Sequence, residues 1–563
     1  MMFLPTTREE MNNLGWKSLD VIIVTGDTYI DSPYIGAAVI GKTLFNAGYK
    51  VGIIAQPDIN SETDITRLGE PDLFWGVTGG SVDSMVANYT PLKKPRKSDD
   101  FTPGGENNRR PDRAVIAYCN LIRRFFKETK PLVIGGIEAS LRRIAHYDYW
   151  DNKIRRPILF DAKADVLIYG MGETAVTELA LCFRENMDFK NVRGICYASK
   201  EIPRSDYLQL PSYDDVVSDK LKFIDMFNIF YQNNDPLTAK GLYQKNDIRY
   251  LIQNPPAALR TGENLDRVFE YGYEYDVHPY YKKDGHVKAL ETIKFSITTH
   301  RGCYGECNFC AIAVHQGRTI CERSVESILH EAEKLVKLDG FKGYILDAGG
   351  PTANMYGIEC DKKIKFGACK NKRCLYPEKC KQLDINHKKQ VTLLKKLREI
   401  TGIKKVFVAS GIRHDMIMSD QTCRDEYLRE LLEHHVSGQL KIAPEHTENQ
   451  VLCMMGKPGK KPLVEFRMLF MKFNKEVGDK RQFLTYYLIA AHPGSTELEM
   501  RKMQEFVSRE LKIKPEQVQI FTPTPSTYST LMYYTEMDPF TKKKIFVEKN
   551  PGKKDAQKRI ITG

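Results

Sequence analysis

Short apolar runs recur along the first 200 residues of this chain, and each is followed by a loop and a stretch with helical periodicity. These runs lie at residues 21–24, 51–55, 73–77, 132–134 and 166–168. Strands that are apolar on both faces and alternate with helices are typical of a parallel sheet covered on both sides. We therefore predict an α/β fold that begins with a doubly wound, Rossmann-like domain over residues 1–200.

The same alternation resumes near residue 291. Further strands are predicted at residues 295–298, 344–347, 406–408, 439–442, 484–489 and 518–521, with a helix after each of the first five. This series is long enough for a partial (β/α)6 barrel over residues 291–525. Residues 201–290, which are aromatic and polar with weaker periodicity, are expected to bridge the two domains. Residues 526–563 are expected to form a basic C-terminal extension.

Composition excludes several classes of protein. Of the 563 residues, 42% are hydrophobic and 28% charged, which is ordinary for a globular protein and far from the signature of disorder. No uncharged apolar run approaches the ~18–20 residues that span a bilayer, and the first residues lack the features of a secretory signal. We therefore expect a cytoplasmic protein that does not enter a membrane. The net charge of +12 permits an RNA or other anionic partner without identifying one.

The sharpest chemical signal lies just after the first predicted strand of the second domain. Cys303, Cys307 and Cys310 follow one another closely on one predicted loop. Where thiols are kept reduced, such a group more often binds metal than forms disulfides. Three thiolates can ligate three irons of a cubane iron–sulfur cluster and leave the fourth iron open, at the end of the barrel where active sites form. A zinc site would need His300 or His315 as a fourth ligand.

The three-cysteine loop resembles that of the radical S-adenosylmethionine superfamily, in which an aromatic residue also precedes the last cysteine. Further segments narrow the resemblance to the YgiQ family, which has no assigned reaction. These segments are residues 301–318, 323–324, 347–357, 443–447, 492–496 and 519–539. The resemblance covers nearly the whole chain.

The resemblance implies that Cys303, Cys307 and Cys310 ligate one 4Fe-4S cluster, whose open iron binds the amino and carboxylate groups of S-adenosyl-L-methionine. An electron from a low-potential donor such as flavodoxin or ferredoxin would cleave the sulfonium to methionine and a 5′-deoxyadenosyl radical, which abstracts hydrogen from a substrate. Neither the substrate nor a catalytic residue is implied.

The resemblance also implies contacts to S-adenosyl-L-methionine. Gly349 and Gly350 correspond to a glycine pair that lets the backbone approach the methionine amino group, although Pro351 stands where the superfamily often has Glu. The segment Ser410–Arg413, above all Ser410, and Glu445 follow later barrel strands, where they are expected to contact the ribose or the carboxylate. Either residue could equally be a loop cap or a surface charge.

The N-terminal domain resembles the cobalamin-binding-like Rossmann domain that precedes many radical enzymes. Residues 1–200 contain no Asp-x-His-x-x-Gly segment to offer an axial histidine, although some relatives bind cobalamin without one. The sequence thus argues against bound cobalamin and leaves that cofactor open. A basic, polar stretch at residues 89–113 interrupts the domain. We expect it to be a solvated loop, with contact to a substrate or RNA as the alternative.

A second group of cysteines lies in a predicted insert over residues 358–384. Cys360, Cys369, Cys374 and Cys380 stand beside several lysines, which lower thiol pKa values. Four thiols suit a second metal site that holds zinc or an auxiliary iron–sulfur cluster. Free thiols in an irregular insert are the alternative.

Two other functions compete with this interpretation. Residues 36–43 match the phosphate-loop pattern of nucleotide hydrolases. Apolar residues recur at helical spacing across that motif, and a helix whose amides bond internally cannot cradle a phosphate, which argues against nucleotide binding there. The other alternative is a non-catalytic iron–sulfur or RNA-binding protein.

Overall fold

One large sheet occupies the N-terminal half of the computed structural model. Its strands are β1 (Val21–Thr25), β2 (Val51–Ala55), β3 (Phe74–Thr78), β4 (Leu132–Gly135), β5 (Val166–Ile168), β6 (Ile195–Ser199), β7 (Leu208–Leu210), β8 (Leu242–Asn246) and β9 (Arg249–Gln253). Their order across the sheet is β7-β8-β9-β6-β5-β4-β3-β1-β2. The strands β1 to β5 pair in parallel, and β6 is antiparallel to β5. The predicted Rossmann-like α/β fold is confirmed.

The structure describes residues 2–203, 205–258, 261–477, 482–516 and 518–563. The chain divides into two compact units, Met1–Leu259 with Arg267–Lys294, and Arg260–Asp266 with Phe295–Gly563. The sheet belongs to the first unit, and β7, β8 and β9 are part of it, so residues 201–290 are not the separate bridge expected from the sequence. β8 alternates buried with more exposed side chains. A search for continuous apolar runs misses this antiparallel pattern.

Helices cover the sheet and connect its strands. The first thirteen α-helices of the chain are α1 (Arg8–Asn13), α2 (Gly36–Asn46), α3 (Thr63–Thr66), α4 (Ser84–Asn88), α5 (Ala114–Phe125), α6 (Gly136–Leu141), α7 (Ile158–Asp161), α8 (Glu173–Arg184), α9 (Tyr213–Ser218), α10 (Lys220–Gln232), α11 (Gly262–Glu270), α12 (Pro279–Lys282) and α13 (Ala289–Ile293). Two short antiparallel pairs join Ile30–Asp31 to Asp276–Val277 and His146–Asp148 to Lys153–Arg155.

Strand β1, one place in from the end of the sheet, is paired on both sides. Its five residues are buried, and Val21 stands opposite Val51 on one side and Phe74 on the other. Because β1, β2 and β3 are parallel, their carboxyl ends meet at one edge of the sheet. We call this edge, with the turns that leave β1 to β4, the carboxyl edge.

The phosphate-loop motif lies inside α2, which begins at Gly36. Its lysine, Lys42, is buried and forms an ion pair with Asp31, with 3.2 Å between Nζ and Oδ2. Lys42 also donates a hydrogen bond to the Gly272 carbonyl at 2.9 Å. Since the helical amides bond internally and the lysine is already neutralised, residues 36–43 cannot cradle a phosphate. The alternative of a phosphate-loop hydrolase is therefore wrong.

The second unit contains the predicted barrel strands in sequence order. They are β10 (Ser296–Thr298), β11 (Tyr344–Ile345), β12 (Asp347–Gly349), β13 (Lys405–Val406), β14 (Gln439–Glu445), β15 (Phe483–Ala490) and β16 (Val518–Ile520). β10 pairs with β12, β11 with β13, and β14 with β15, which pairs with β16, all in parallel. β11 and β12 are two parts of the predicted second strand. The partial βα barrel is confirmed.

The helices of this unit are α14 (Ile312–His315), α15 (Val325–Val336), α16 (Asp361–Phe366), α17 (Lys388–Glu399), α18 (His414–Ser419), α19 (Arg424–Glu430), α20 (Asn449–Met455), α21 (Lys461–Glu476), α22 (Glu497–Phe506), α23 (Tyr528–Thr535) and α24 (Pro551–Thr562). Residues 526–563 are packed into the unit, because Gln557 of α24 accepts a hydrogen bond from the Ala491 N–H at 3.1 Å and donates one to the Ser495 carbonyl at 3.2 Å. Across the described ranges, no helix has the length and apolar character needed to cross a bilayer.

Candidate functional site

The three-cysteine loop begins at the carboxyl end of β10. A short hairpin, His300–Arg301 paired with Cys321–Glu322, closes the base of the loop. The Cys310 N–H donates a hydrogen bond to the Cys307 carbonyl at 3.0 Å. The loop therefore leaves the end of the first barrel strand, as the sequence predicts.

Asn308 anchors the loop to the rest of the unit. Its N–H donates to the Met455 carbonyl and its side-chain amide to the Met454 carbonyl, each at 2.8 Å, while its own carbonyl accepts from the Ser529 N–H at 2.8 Å. Phe309, the aromatic residue before the last cysteine, packs against an apolar cluster that includes Met455. The loop is thus held to the rest of the unit at Asn308 and Phe309.

The sulfurs of Cys303 and Cys307 flank Gly305. The Gly305 N–H donates to Cys303 Sγ at 3.3 Å. A side chain at position 305 would place its Cβ 3.2 Å from Cys303 Sγ and 3.7 Å from Cys307 Sγ. That Cβ would also lie 2.7 Å from Arg413 Nη1, closer than real Cβ atoms approach other atoms. A side chain at position 305 would therefore have to push the Arg413 guanidinium away from its place beside the sulfurs.

Arg413 brings a positive charge to the sulfurs. Its Nη1 donates to Cys307 Sγ at 3.5 Å, and its Nη2 lies 2.6 Å from an Asp415 carboxylate oxygen. Its backbone N–H donates to Asn354 Oδ1 at 2.8 Å. Burial alone would lower the pKa of Arg413, but Asp415 and Cys307 raise it, so the guanidinium stays charged. Arg413 follows a predicted barrel strand, and only the structure shows where its side chain points.

Burial favours the neutral thiol at Cys303 and Cys310. Burial raises the pKa of Cys303 and of Cys310, to about 12 for Cys310, and the neighbouring Cys307 raises both further. Thiolates at these positions would therefore need a bound cation, which releases the protons as it binds.

Glu445 ends β14 with a φ of 69°, the left-handed region that non-glycine residues seldom adopt. Its carboxylate lies 3.9 Å from Lys457 Nζ. Burial raises the pKa of Glu445, while Lys457 and Arg413 lower it. Glu445 also contributes to the raised pKa of Cys310, so it faces the three-cysteine loop. Strained backbone of this kind often occurs at functional sites.

Gly349 and Gly350 lie at the end of β12, beside the strand that leads into the three-cysteine loop. The Thr299 N–H donates to the Gly349 carbonyl at 2.7 Å. A Cβ on Gly350 would lie 2.6 Å from Cε1 of the buried His300 ring. The second glycine therefore makes room for His300, whose pKa burial lowers to about 4.

Ser410 contacts another side chain of the site. Its N–H donates to Asp347 Oδ1 at 3.1 Å, and its hydroxyl donates a short hydrogen bond to the same carboxylate. The Ala409 N–H donates to Asp347 Oδ1 at 2.8 Å. Ser410 thus fixes the loop after β13 onto the start of β12, which corresponds to the loop-cap alternative.

The second cysteine group lies against the first. Cys360, Cys374 and Cys380 belong to one apolar cluster, which Cys303 also touches. Burial raises the pKa of Cys374 to about 11, and Lys363, 3.6 Å from its sulfur, opposes that rise. Among the described residues, no three His, Cys, Asp or Glu side chains converge as ligands of a single metal ion. A second metal site that includes Cys369 stays a prediction.

Comparison with protein families and with curated proteins gives concordant matches. The family model described as "Radical SAM N-terminal" matches residues 3–296. A UPF0313 protein of Fusobacterium nucleatum is 61% identical over 563 residues, which is 100% of this chain and 99% of that protein. A UPF0313 protein of Thermotoga petrophila is 50% identical over 552 residues, or 98% and 96% of the two chains.

Solved structures with a similar fold are more distant in sequence. The radical S-adenosylmethionine methyltransferase TsrM from Kitasatospora setae, with cobalamin and a [4Fe-4S] cluster bound, has a TM-score of 0.52 at 14% identity, covering 91% of this chain and 74% of that one. The cobalamin-dependent radical enzyme OxsB, with aqua-cobalamin and S-adenosylmethionine bound, has a TM-score of 0.51 at 12% identity, covering 94% and 56%. At these identities the similarity concerns the fold alone.

Proposed function

The chain belongs to the UPF0313 family, the YgiQ-like family of radical S-adenosylmethionine proteins, and from this premise we propose that it is an enzyme in which Cys303, Cys307 and Cys310 hold one [4Fe-4S] cluster. Three thiolates would leave one iron of such a cluster open for S-adenosyl-L-methionine. The observation that supports this function is the placement of three thiols at the carboxyl end of the first barrel strand, with Arg413 beside Cys307.

The donor set fits a cluster better than a single zinc ion. Ligands of one ion must converge on a point, and among the residues that the structure describes no three potential ligands do so. In a cubane cluster each thiolate binds a different iron, so the sulfurs stand farther apart. Gly305 lies between two of the sulfurs and leaves that space free of side chains.

A bound cluster would supply the electron, taken from an external donor, that cleaves the C5′–S bond of S-adenosyl-L-methionine to methionine and a 5′-deoxyadenosyl radical able to take a hydrogen atom from the substrate. Arg413 partly balances the negative charge of the thiolates. We assign Gly349 and Gly350 to the approach of backbone to the methionine amino group, and Glu445 to the ribose or the carboxylate. Ser410 acts through Asp347, which it orients.

The reaction needs a reductant and a substrate. We propose a low-potential donor of the flavodoxin or ferredoxin type in the cytoplasm. The substrate is unknown, and the net charge of +12 permits a nucleic acid without favouring one. The reaction class beyond hydrogen abstraction is left open.

Anaerobic reconstitution of the full chain tests this function. About four irons and four sulfides per chain are expected, and dithionite with S-adenosyl-L-methionine should release 5′-deoxyadenosine. Cys303→Ala, Cys307→Ala and Cys310→Ala should each abolish release, whereas Cys453→Ala, at an exposed thiol, should not. Intact cleavage in the three loop variants would overturn the assignment. A stable cluster without cleavage would favour a non-catalytic iron–sulfur protein.

A further inference from the structure

The fold of the first unit raises the question of a corrinoid cofactor. Solved structures of similar fold have cobalamin bound, and open α/β sheets bind ligands outside the carboxyl ends of their strands. The carboxyl edge of this chain is therefore where a bound cobalamin would be expected. What occupies that edge can be determined from the first unit alone.

The chain's own segment 99–110 lies across the ends of β1 and β2. The Thr28 N–H, just after β1, donates to the Phe101 carbonyl at 3.0 Å. The side-chain amide of Gln56, just after β2, donates to Thr102 Oγ1 at 2.7 Å and to the Gly26 carbonyl at 3.0 Å. The stretch expected to be a solvated loop is thus hydrogen-bonded to the sheet over these residues.

Arg110 holds residues 99–110, which we call the cover, against the sheet. Its guanidinium is 2.8 Å from Asp27 Oδ1 and 2.9 Å from Asp99 Oδ2, and it donates to the Gly79 carbonyl at 3.0 Å. Arg110, Asp27 and Asp99 are all at most 6% exposed. One side chain therefore joins the ends of β1 and β3 to the covering segment through buried ion pairs, and removing it would leave two buried carboxylates without their partner.

The ends of β3 and β4 are filled as well. Both carboxylate oxygens of the buried Glu138 are used, because one accepts from the Ser84 N–H at 3.0 Å and the other from the Val115 N–H at 3.2 Å. Even one added carbon would not fit here: a Cβ on Gly26 would collide with the Gly79 carbonyl, and a Cβ on Gly79 with Glu138. These glycines serve the packing of the protein on itself rather than the approach of a cofactor.

We propose that the carboxyl edge of the first unit is closed by residues 99–110 and takes no corrinoid, so that this enzyme works without cobalamin. The missing Asp-x-His-x-x-Gly segment agrees with this. A corrin macrocycle would have to displace the segment, break the Arg110 ion pairs and expose Thr28 and Gln56. The inference rests on the first unit and does not depend on the cluster proposed for the second.

A binding assay tests the proposal directly. The full chain, as isolated and after cluster reconstitution, is mixed anaerobically with hydroxocobalamin, passed through a desalting column and assayed by absorbance, with TsrM as the positive control. The expected result is retention far below one corrinoid per chain, the same before and after reconstitution. Stoichiometric retention with a shifted corrinoid spectrum would overturn the proposal.

Amide hydrogen exchange tests whether residues 99–110 stay closed over the carboxyl edge. The Thr28 and Ser81 amides, whose acceptors are Phe101 and Asp27, should exchange slowly and at the same rate with or without hydroxocobalamin. Arg110→Ala should speed their exchange at least tenfold, whereas Arg109→Ala, at a neighbouring half-exposed arginine paired with Asp284, should not. Fast exchange in the unaltered chain, or protection that changes on adding hydroxocobalamin, would show that the edge opens. The unaltered chain decides the matter if Arg110→Ala does not fold.

Discussion

Arg413 lies beside the three-cysteine loop, yet in the sequence it is one of 84 lysines and arginines. The role of the three cysteines as metal ligands could be predicted because few kinds of site use this spacing. Arg413 belongs to a segment expected to contact S-adenosyl-L-methionine, but its hydrogen bond to Cys307 could not be predicted, because it exists only where the loop after β13 comes within 3.5 Å of that sulfur. The place of Gly305 between the sulfurs likewise depends on the fold. Ser410 was predicted as a ligand from the same loop, but its bonds to Asp347 depend on a contact that no local pattern encodes.

The charge of Arg413 should raise the reduction potential of the cluster proposed here. Reduction adds negative charge, which a cationic donor to Cys307 stabilises, and a charge-assisted hydrogen bond is worth ~1.5–3 kcal/mol. For a one-electron couple, Arg413→Gln should then lower the midpoint potential by up to about 130 mV. Redox titration followed by electron paramagnetic resonance measures the shift.

Two matched variants separate charge from folding. Arg413→Lys keeps the charge and should recover most of the potential. Arg413→Gln with Asp415→Asn removes the buried ion pair together, so it should restore stability and recover the potential only in part, because a negative charge farther from the sulfurs is lost as well. An unchanged potential in Arg413→Gln, with a normal iron content, would show that Arg413 acts on packing alone.

Among the elements, those with continuous apolar runs could be predicted and those with mixed patterns could not. β1 is buried along its whole length and has a parallel neighbour on each side, so its sequence matches a buried parallel strand. β7 to β9 lie at the other side of the sheet and mix exposed with buried residues, which is why the sequence predicts only a bridge over residues 201–290. The cover at residues 99–110 was predicted as loop because its order comes from long-range bonds, such as Arg110 to Asp27, rather than from periodicity.

The insert at residues 358–384 contains four cysteines, and their number alone does not show that they bind metal. Cys360 and Cys374 pack with apolar neighbours such as Leu375 and Leu383, and Lys363 already contacts the Cys374 sulfur. This packing favours the alternative of free thiols. We expect the reconstituted chain to hold about four irons rather than about eight, and no zinc.

Metal analysis of paired variants checks this. Cys360→Ala with Cys374→Ala should leave iron content and 5′-deoxyadenosine release per folded chain unchanged, while lowering the unfolding midpoint through lost packing. Iron near eight per chain, falling to about four in the double variant, would establish the second site instead.

For the whole molecule, the class of fold could be predicted from the order of strands and helices. Which polar side chains are buried could be learned only from the structure. Histidines are an example. His146 in the first unit and His446 and His492 in the second are at most 4% exposed. Burial lowers their pKa to about 4, about 3 and about 4 respectively, from an ordinary value of about 6.5.

These histidines should make the molecule sensitive to mild acid. Between pH ~6.5 and ~4 they are protonated in the unfolded chain but neutral in the folded one, so the free energy of unfolding falls as the pH drops through that window. At ~1.4 kcal/mol per pKa unit, each histidine lowers the free energy of unfolding by about 3 kcal/mol across this window. Denaturant midpoints measured from pH 8 to 4 should therefore fall steeply below pH ~6.5. His492→Gln should flatten the profile, whereas His286→Gln, at an exposed histidine, should not. A midpoint constant down to pH 4 would mean that the buried rings gain protons without unfolding.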